Sequence, residues 1–155
     1  LGDMGCFPAR SRHGKGAGRG NRSGIPVHLA DFMGLWRLDR RIVQADGVEG
    51  AFAGQAEWLP ADHGALYVET GTLVMPSGRF RAERRYLWEA DLTVRFDDGR
   101  FFHRVPGAGG ATGHWCDPDR YDVTYDFDGW PAWSCRWVVR GPRKDYAMTS
   151  HYARA

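Results

Sequence analysis

Apolar and polar residues alternate along this chain with a period of two, in short runs that recur every ten to twelve residues from Leu35 onward. That period belongs to half-buried β-strands, whose successive side chains point to opposite faces. Turn residues separate the runs. Leu35–Gln44 ends at Asp46-Gly47, Ala51–Leu59 at Pro60 to Gly64, Ala65–Met75 at Pro76-Ser77-Gly78, and Arg79–Glu89 at Ala90-Asp91. Leu92–Asp97 and Arg100–Val105 flank Asp98-Gly99, the strongest two-residue hairpin signal in the chain. After the Gly-rich stretch Pro106–Gly110 come Ala111–Cys116, Tyr121–Phe127, Ala132–Arg140 and Asp145–Arg154. Ahead of the first strand, residues 27–34 supply one helical turn capped by Asp31, or a lead-in. Ten consecutive strands without helices between them predict an all-β fold. A sheet that long curls, and closure removes its edges. The expected architecture is an up-and-down antiparallel β-barrel of about ten strands, its last strand paired with its first. A sandwich is the alternative.

Alternation also assigns faces. The ninth strand is clearest, with Trp133, Cys135, Trp137 and Val139 on one side and Ser134, Arg136 and Arg140 on the other. The inward sets elsewhere are Trp36, Leu38, Arg40 and Ile42; Phe52, Ala56 and Trp58; Phe80, Ala82, Arg84, Tyr86 and Trp88; Leu92, Val94 and Phe96; Phe101, His103 and Val105; Tyr121, Val123, Tyr125 and Phe127; and Tyr146, Met148, Ser150 and Tyr152. The third and seventh strands are ambiguous. In an up-and-down barrel the odd-numbered turns share one end. That end collects Arg79, Asp98, Arg100, Asp117, Asp119, Arg120, Arg143, Lys144 and Asp145.

Composition sharpens this picture. The chain has 155 residues, enough for one domain with a sizeable core, and 14% of them are aromatic, with seven Trp. No apolar run approaches the ~18 residues that span a bilayer, so no membrane partner is expected. Residues 1–24 are Gly-, Arg- and Ser-rich without periodicity and predict a disordered basic tail, leaving 25–155 as the single barrel domain. The net charge of +2 conceals an asymmetry. Five basic residues among the first thirty face Asp3 alone, so the remainder carries −2. A folded part of that sign argues against nucleic acid as a partner. Cys6, Cys116 and Cys135 contain no CxxC pair and resemble neither a disulfide framework nor a structural zinc site. Cys116 and Cys135 could pair across neighbouring strands, but a reduced, cytoplasmic protein is the simpler expectation.

The interior holds charge as well as rings. A buried arginine is costly unless paired, so Arg40 and Arg84 either meet an internal carboxylate, with Glu69 the candidate, or await an anionic ligand. Arg84-x-Tyr86 suits a carboxylate, the guanidinium by its fork and the phenol by its hydroxyl. His103, His114 and Cys116 carry the chemistry of metal ligands, and sequence order makes the sixth and seventh strands expected neighbours. Three soft ligands across a long loop make a weak site, and no metal is expected. His151 alone does not make a haem site, so no cofactor is expected.

Several motifs carry a resemblance. Phe32-x-Gly34-x-Trp36 resembles the Gly-x-Trp signature of lipocalins and related calycin barrels, in which the Trp plugs the barrel base. Together with Glu83-Arg-Arg-Tyr-Leu-Trp88, Asp97-Asp-Gly-Arg100-x-Phe-His103, His114-x-Cys116-x-Pro118-Asp119-x-Tyr121, Trp130-Pro-x-Trp133 and Gly141-Pro-Arg-Lys-Asp-Tyr146, it is similar to a family of small bacterial proteins, domain-of-unknown-function family 6314. The resemblance covers Asp31 to Arg154. It implies a calycin-like barrel and brings no established activity.

A small-molecule ligand is therefore the expected partner: apolar or aromatic, with an acidic group. The candidate binding residues are Arg40, Arg84, Tyr86, His103, Tyr121, Tyr125, Trp133, Trp137, Arg143, Lys144 and Tyr146. Two alternatives stand beside this. One is an isomerase, cyclase or hydrolase with His103 as general acid/base, oriented by Asp97, Asp119 or Tyr121. No nucleophile elbow, phosphate loop or paired carboxylates accompany it. The other is a protein-interaction module with a filled core.

Overall fold

The computed structural model describes residues 25–155. The segment 1–24, expected to be a disordered tail, lies outside the described residues. A helical turn, α1 (Leu29–Phe32), precedes ten antiparallel strands: β1 (Gly34–Gln44), β2 (Glu49–Ala61), β3 (Gly64–Met75), β4 (Gly78–Glu89), β5 (Thr93–Phe96), β6 (Phe101–Arg104), β7 (Gly110–Cys116), β8 (Asp119–Asp126), β9 (Trp133–Arg140) and β10 (Asp145–Arg154). They form one sheet in the order β6-β5-β4-β3-β2-β1-β10-β9-β8-β7. The first and last strands do pair, with Trp36 opposite Arg154 and Gln44 opposite Tyr146. The barrel is therefore continuous through its termini and interrupted elsewhere.

The interruption lies between β6 and β7, expected to be neighbours. They face each other as the two edges of the sheet and share no ladder among the described residues. The connection explains this. Pro106 has no N–H to donate, and Gly109, just ahead of β7, takes a φ of 81°, outside strand geometry. Rings bridge the seam instead, His114 lying 5.7 Å from Phe102 and 6.0 Å from Phe101.

Alternation assigns most faces correctly, because one side of each strand is buried. β3, ambiguous from its sequence, turns Ala65, Tyr67 and Glu69 inward. In β6 the expected inward Phe101 is wrong: it is 45% exposed, while Phe102 is 1% exposed. Val94 pairs with His103 but Arg95 with Phe101, so Phe102 is an extra residue, a β-bulge. The bulge lets Phe102 and His103 both enter the core. Between β2 and β3, Gly54 faces Gly71. A Cβ at either would meet backbone atoms of the opposite strand, so the glycines permit the close approach that a coiled sheet needs.

α1 closes one end. Its start is capped as the Asp31 assignment implied, the carboxylate accepting the His28 N–H at 2.7 Å. Phe32 is fully buried and packs its ring 5.2–5.9 Å from those of Trp58, Trp88, Trp130, Trp133 and Phe127. Trp36 donates its Nε1–H to Phe32 O at 2.7 Å, and the Arg154 guanidinium lies 3.9 Å over the Trp36 ring. The Gly-x-Trp tryptophan thus belongs to the plug at the barrel base. No described helix is long and apolar enough to cross a membrane.

The other end, where the odd-numbered turns gather, is uneven. β3 and β4 pair along their whole length, but β5 pairs with β4 only from Tyr86 to Trp88. The outer half of the β3–β4 hairpin therefore overhangs the short β5–β6 hairpin. Phe80, on the inner face of that overhang, is 49% exposed rather than buried as alternation predicted, because no strand lies across from it.

Candidate functional site

The lumen is organised around Glu69. β3 sets it opposite Arg84 of β4, and β1, two strands away along the same wall, carries Arg40 to it over β2. Arg40 Nη1 and Nη2 donate to the two carboxylate oxygens at 2.7 and 2.9 Å, and its Nε donates to Ser150 Oγ at 2.7 Å. Tyr67 donates to Glu69 Oε2 at 2.5 Å and its hydroxyl lies 2.8 Å from that of Tyr152. Burial pushes the Glu69 pKa up, but Arg40, with help from Arg84 and the Tyr67 hydroxyl, outweighs it and holds the carboxyl below its usual range. Burial and the adjacent Glu69 carboxylate push the Tyr67 phenol well above 10, so it stays a donor. Of the two outcomes open for Arg40, the internal carboxylate is the one realised. A bidentate, desolvated pair leaves Arg40 little capacity for an external anion.

Arg84 is placed differently. Its Nε is 3.8 Å from Glu69 Oε1, beyond hydrogen-bond length, and its side chain is 37% exposed. It stands where the overhanging hairpin meets the lumen. Below it three rings form a collar: Tyr86 to Phe102 6.0 Å, Phe102 to Trp137 5.2 Å, and Tyr86 to Trp137 6.4 Å between centroids.

Under the collar lies a cavity of about 30 Å³, lined by Arg40, Tyr67, Glu69, Arg84, Tyr86, His103, Tyr125, Trp133, Cys135, Trp137 and Tyr152 among others. His103 is fully buried, its ring 6.2 Å from Trp137, and its Nε2 is 2.7 Å from the Tyr125 hydroxyl. Burial, with a small contribution from His114, lowers its pKa to about 3, so the ring is neutral at pH 7. Its Nδ1 has no hydrogen-bond partner among the described residues. Burial likewise drives the Tyr125 phenol well above 10 and the Cys135 thiol up to about 12. Cys135 is a free thiol, so it does not pair with Cys116.

The sequence therefore brought Arg40, Arg84, Tyr86, His103, Tyr125, Trp133 and Trp137 to one lumen. Trp133 stacks on Tyr152 at 3.9 Å, nearer the plug. Tyr121 lies beside the collar, 5.4 Å from Phe102, and accepts a hydrogen bond from Lys144 Nζ at 3.1 Å. Lys144 also pairs with Asp119 at 3.3 Å, joining the seventh and ninth turns at the rim. Tyr146 is half-buried in β10, and Arg143 is exposed in the ninth turn. Neither lines the cavity. His103 is met by Tyr125 rather than by Asp97, Asp119 or Tyr121. No group of three His, Cys, Asp or Glu side chains among the described residues is arranged to hold a metal, and His151 faces outward. Tyr67 and Phe102 escaped the sequence-based set. The first sits in a strand too rich in apolar residues for its phase to be read, and the second is displaced by the bulge.

A meander of ten antiparallel strands around an aromatic and polar lumen, plugged at one end by a helical turn and open at the other, is a calycin-like barrel. The chain belongs to a family of unknown function (DUF6314), whose family model matches residues 32–154. Among solved structures it is similar to an S-type phycobiliprotein lyase from Guillardia theta, with a TM-score of 0.55 over 82% of this chain and 90% of that one. At 8% identity this is a likeness of fold. No curated protein matches the chain in sequence.

Proposed function

We propose that the barrel binds a small apolar or aromatic molecule carrying an acidic group, at the open end between the overhanging β3–β4 hairpin and the Tyr86/Phe102/Trp137 collar. The observation that carries this reading is the contrast between the two lumen arginines. Arg40 is saturated by Glu69, whereas Arg84 stands half-exposed at the mouth with its nearest carboxylate at 3.8 Å. An anion there meets a partly desolvated guanidinium, which binds a carboxylate more strongly than a fully hydrated one does. Phe80 and Trp137 offer apolar surface on the same concave side. A cavity of about 30 Å³ does not hold a ring, so the body of the ligand lies above the collar. The phycobiliprotein lyase likeness supports a barrel that handles a small molecule, without naming the molecule here.

Binding is favoured over catalysis. His103 is a poor base with its pKa near 3 and is not protonated at neutral pH to act as an acid. The test compares 4-(4-ethylphenyl)butanoate with its primary amide by titration calorimetry. Wild type should prefer the acid by about ten- to a hundredfold, the range of ~1.5–3 kcal/mol for a hydrogen bond to a charged group. Arg84→Met should abolish that preference. Equal binding of acid and amide, or a preference that survives Arg84→Met, refutes the site.

A further inference from the structure

The His103–Tyr125 pair contains an unsatisfied hydrogen bond, and its polarity can be worked out. Both residues are buried, and each has the other as its only hydrogen-bond partner among the described residues. If Nε2–H donates to the phenol oxygen, the phenol hydrogen and Nδ1 are both left unpaired. If the phenol donates to Nε2, one group alone is unpaired, the Nδ1–H. Each buried unpaired polar group is costly, so the second arrangement prevails. His103 is then a neutral imidazole with a buried, unpartnered N–H, on a side chain among those lining the cavity under the collar.

We propose that this N–H is the inner recognition element of the same ligand site: it donates a hydrogen bond to a neutral oxygen, a ketone or amide carbonyl, at the end of the ligand remote from its acid. The inference rests on the Arg84 reading for the outer end and adds a second contact to it. Three observations converge. The cavity of about 30 Å³ holds roughly two water-sized atoms at ~10–15 Å³ each, the size of a carbonyl and too small for a ring. Glu69, ionised in the same lumen, repels a second carboxylate, so the group that enters is uncharged. His103 pairs across β5 with Trp88 of β4, four residues beyond Arg84, about 13 Å of strand. The ligand is thus an elongated aryl or alkyl acid with its carbonyl at the far end, and the collar rings part around its narrow inner tip.

The experiment uses two probes of equal length, 4-(4-acetylphenyl)butanoate and 4-(4-ethylphenyl)butanoate. Calorimetry on the whole chain should give the acetyl compound about tenfold tighter binding, the worth of one neutral hydrogen bond made to a buried donor. In His103→Phe the preference should fall to within about twofold. Because that variant alters the core, imidazole ¹⁵N shifts in the wild type supply an independent reading: His103 carries its proton on Nδ1, and the acetyl probe, not the ethyl probe, moves that resonance. If both probes bind equally and both depend on Arg84, the inner contact is wrong while the outer site stands. A proton on Nε2 overturns the inference as well. If neither probe binds, the Arg84 reading fails and this inference fails with it.

Discussion

Glu69 and His103 line one lumen under opposite electrostatic conditions, and each has a measurable consequence. Glu69 is charged because Arg40 is charged. Removing one member of such a pair leaves an uncompensated ion, at a cost of about 3–5 kcal/mol, whereas replacing both by apolar groups is often near neutral. Glu69→Leu should therefore lower unfolding stability in urea by that amount, and Arg40→Met with Glu69→Leu should restore most of it. His103 is neutral because it is desolvated. Its folded pKa of about 3 lies below the ~6.5 of an unfolded histidine. Between those values the unfolded chain binds a proton that the folded chain refuses. The contribution is fully present above pH ~6.5 and declines by about 1.4 kcal/mol per unit as the pH falls. Measured from pH 6.5 to 5, the slope should be steeper in wild type than in His103→Phe by up to about 1.4 kcal/mol per pH unit, the residual slope belonging to His114, whose pKa burial also lowers. Arg40, Arg84 and His103 were legible in this lumen from alternation, whereas Glu69, on the ambiguous third strand, was legible only as the candidate carboxylate for a buried arginine. Which arginine Glu69 would neutralise was not, because the choice depends on how far each strand is staggered around the barrel.

Among the elements, the β5–β6 hairpin departs furthest from its sequence pattern. Asp98-Gly99 announces the turn, but the phase of the following strand breaks at Phe102. Alternation gives Phe101 the core position, and the bulge gives it to Phe102. Phe102→Ala should cost about 3–5 kcal/mol, the usual loss for a large buried ring, and Phe101→Ala should stay within about 0.5 kcal/mol. Equal costs for the two in denaturant titrations would restore the simple alternation. Nothing local marks the bulge, since two adjacent phenylalanines fit either phase. It is set by the need to bring His103 and Phe102 together into the lumen. α1 is the converse case. Its single turn is too short to be stable alone, and the Phe32 ring, held by five aromatic neighbours, supplies what propensity cannot.

At the level of the whole molecule, the closure between β1 and β10 divides the sheet into a continuous part and two free edges. β1, β2, β3 and β10 are long and paired on both sides. β5 and β6 span four residues each, and β6 and β7 each present one unpaired edge. Hydrogen exchange under native conditions should follow that division. Amides of β1, β2 and β10 should exchange last and by global unfolding, with those of β5 to β7 and of Gly78–Arg85 opening first. Slow exchange throughout β6 and β7 would mean that the seam is sealed. By itself the sequence determined that the chain is all-β, that it has ten strands, that the first and last pair, and that most faces fall as alternation requires. Those properties follow from the two-residue period and from the turn residues, which are local. The tertiary structure alone decided that the seam falls at β6/β7, that the β3–β4 hairpin overhangs the mouth, and that Arg40 is consumed internally while Arg84 stands at the mouth of the lumen. Each of these depends on strand length and stagger around a closed circuit, quantities set by packing between residues far apart in the chain.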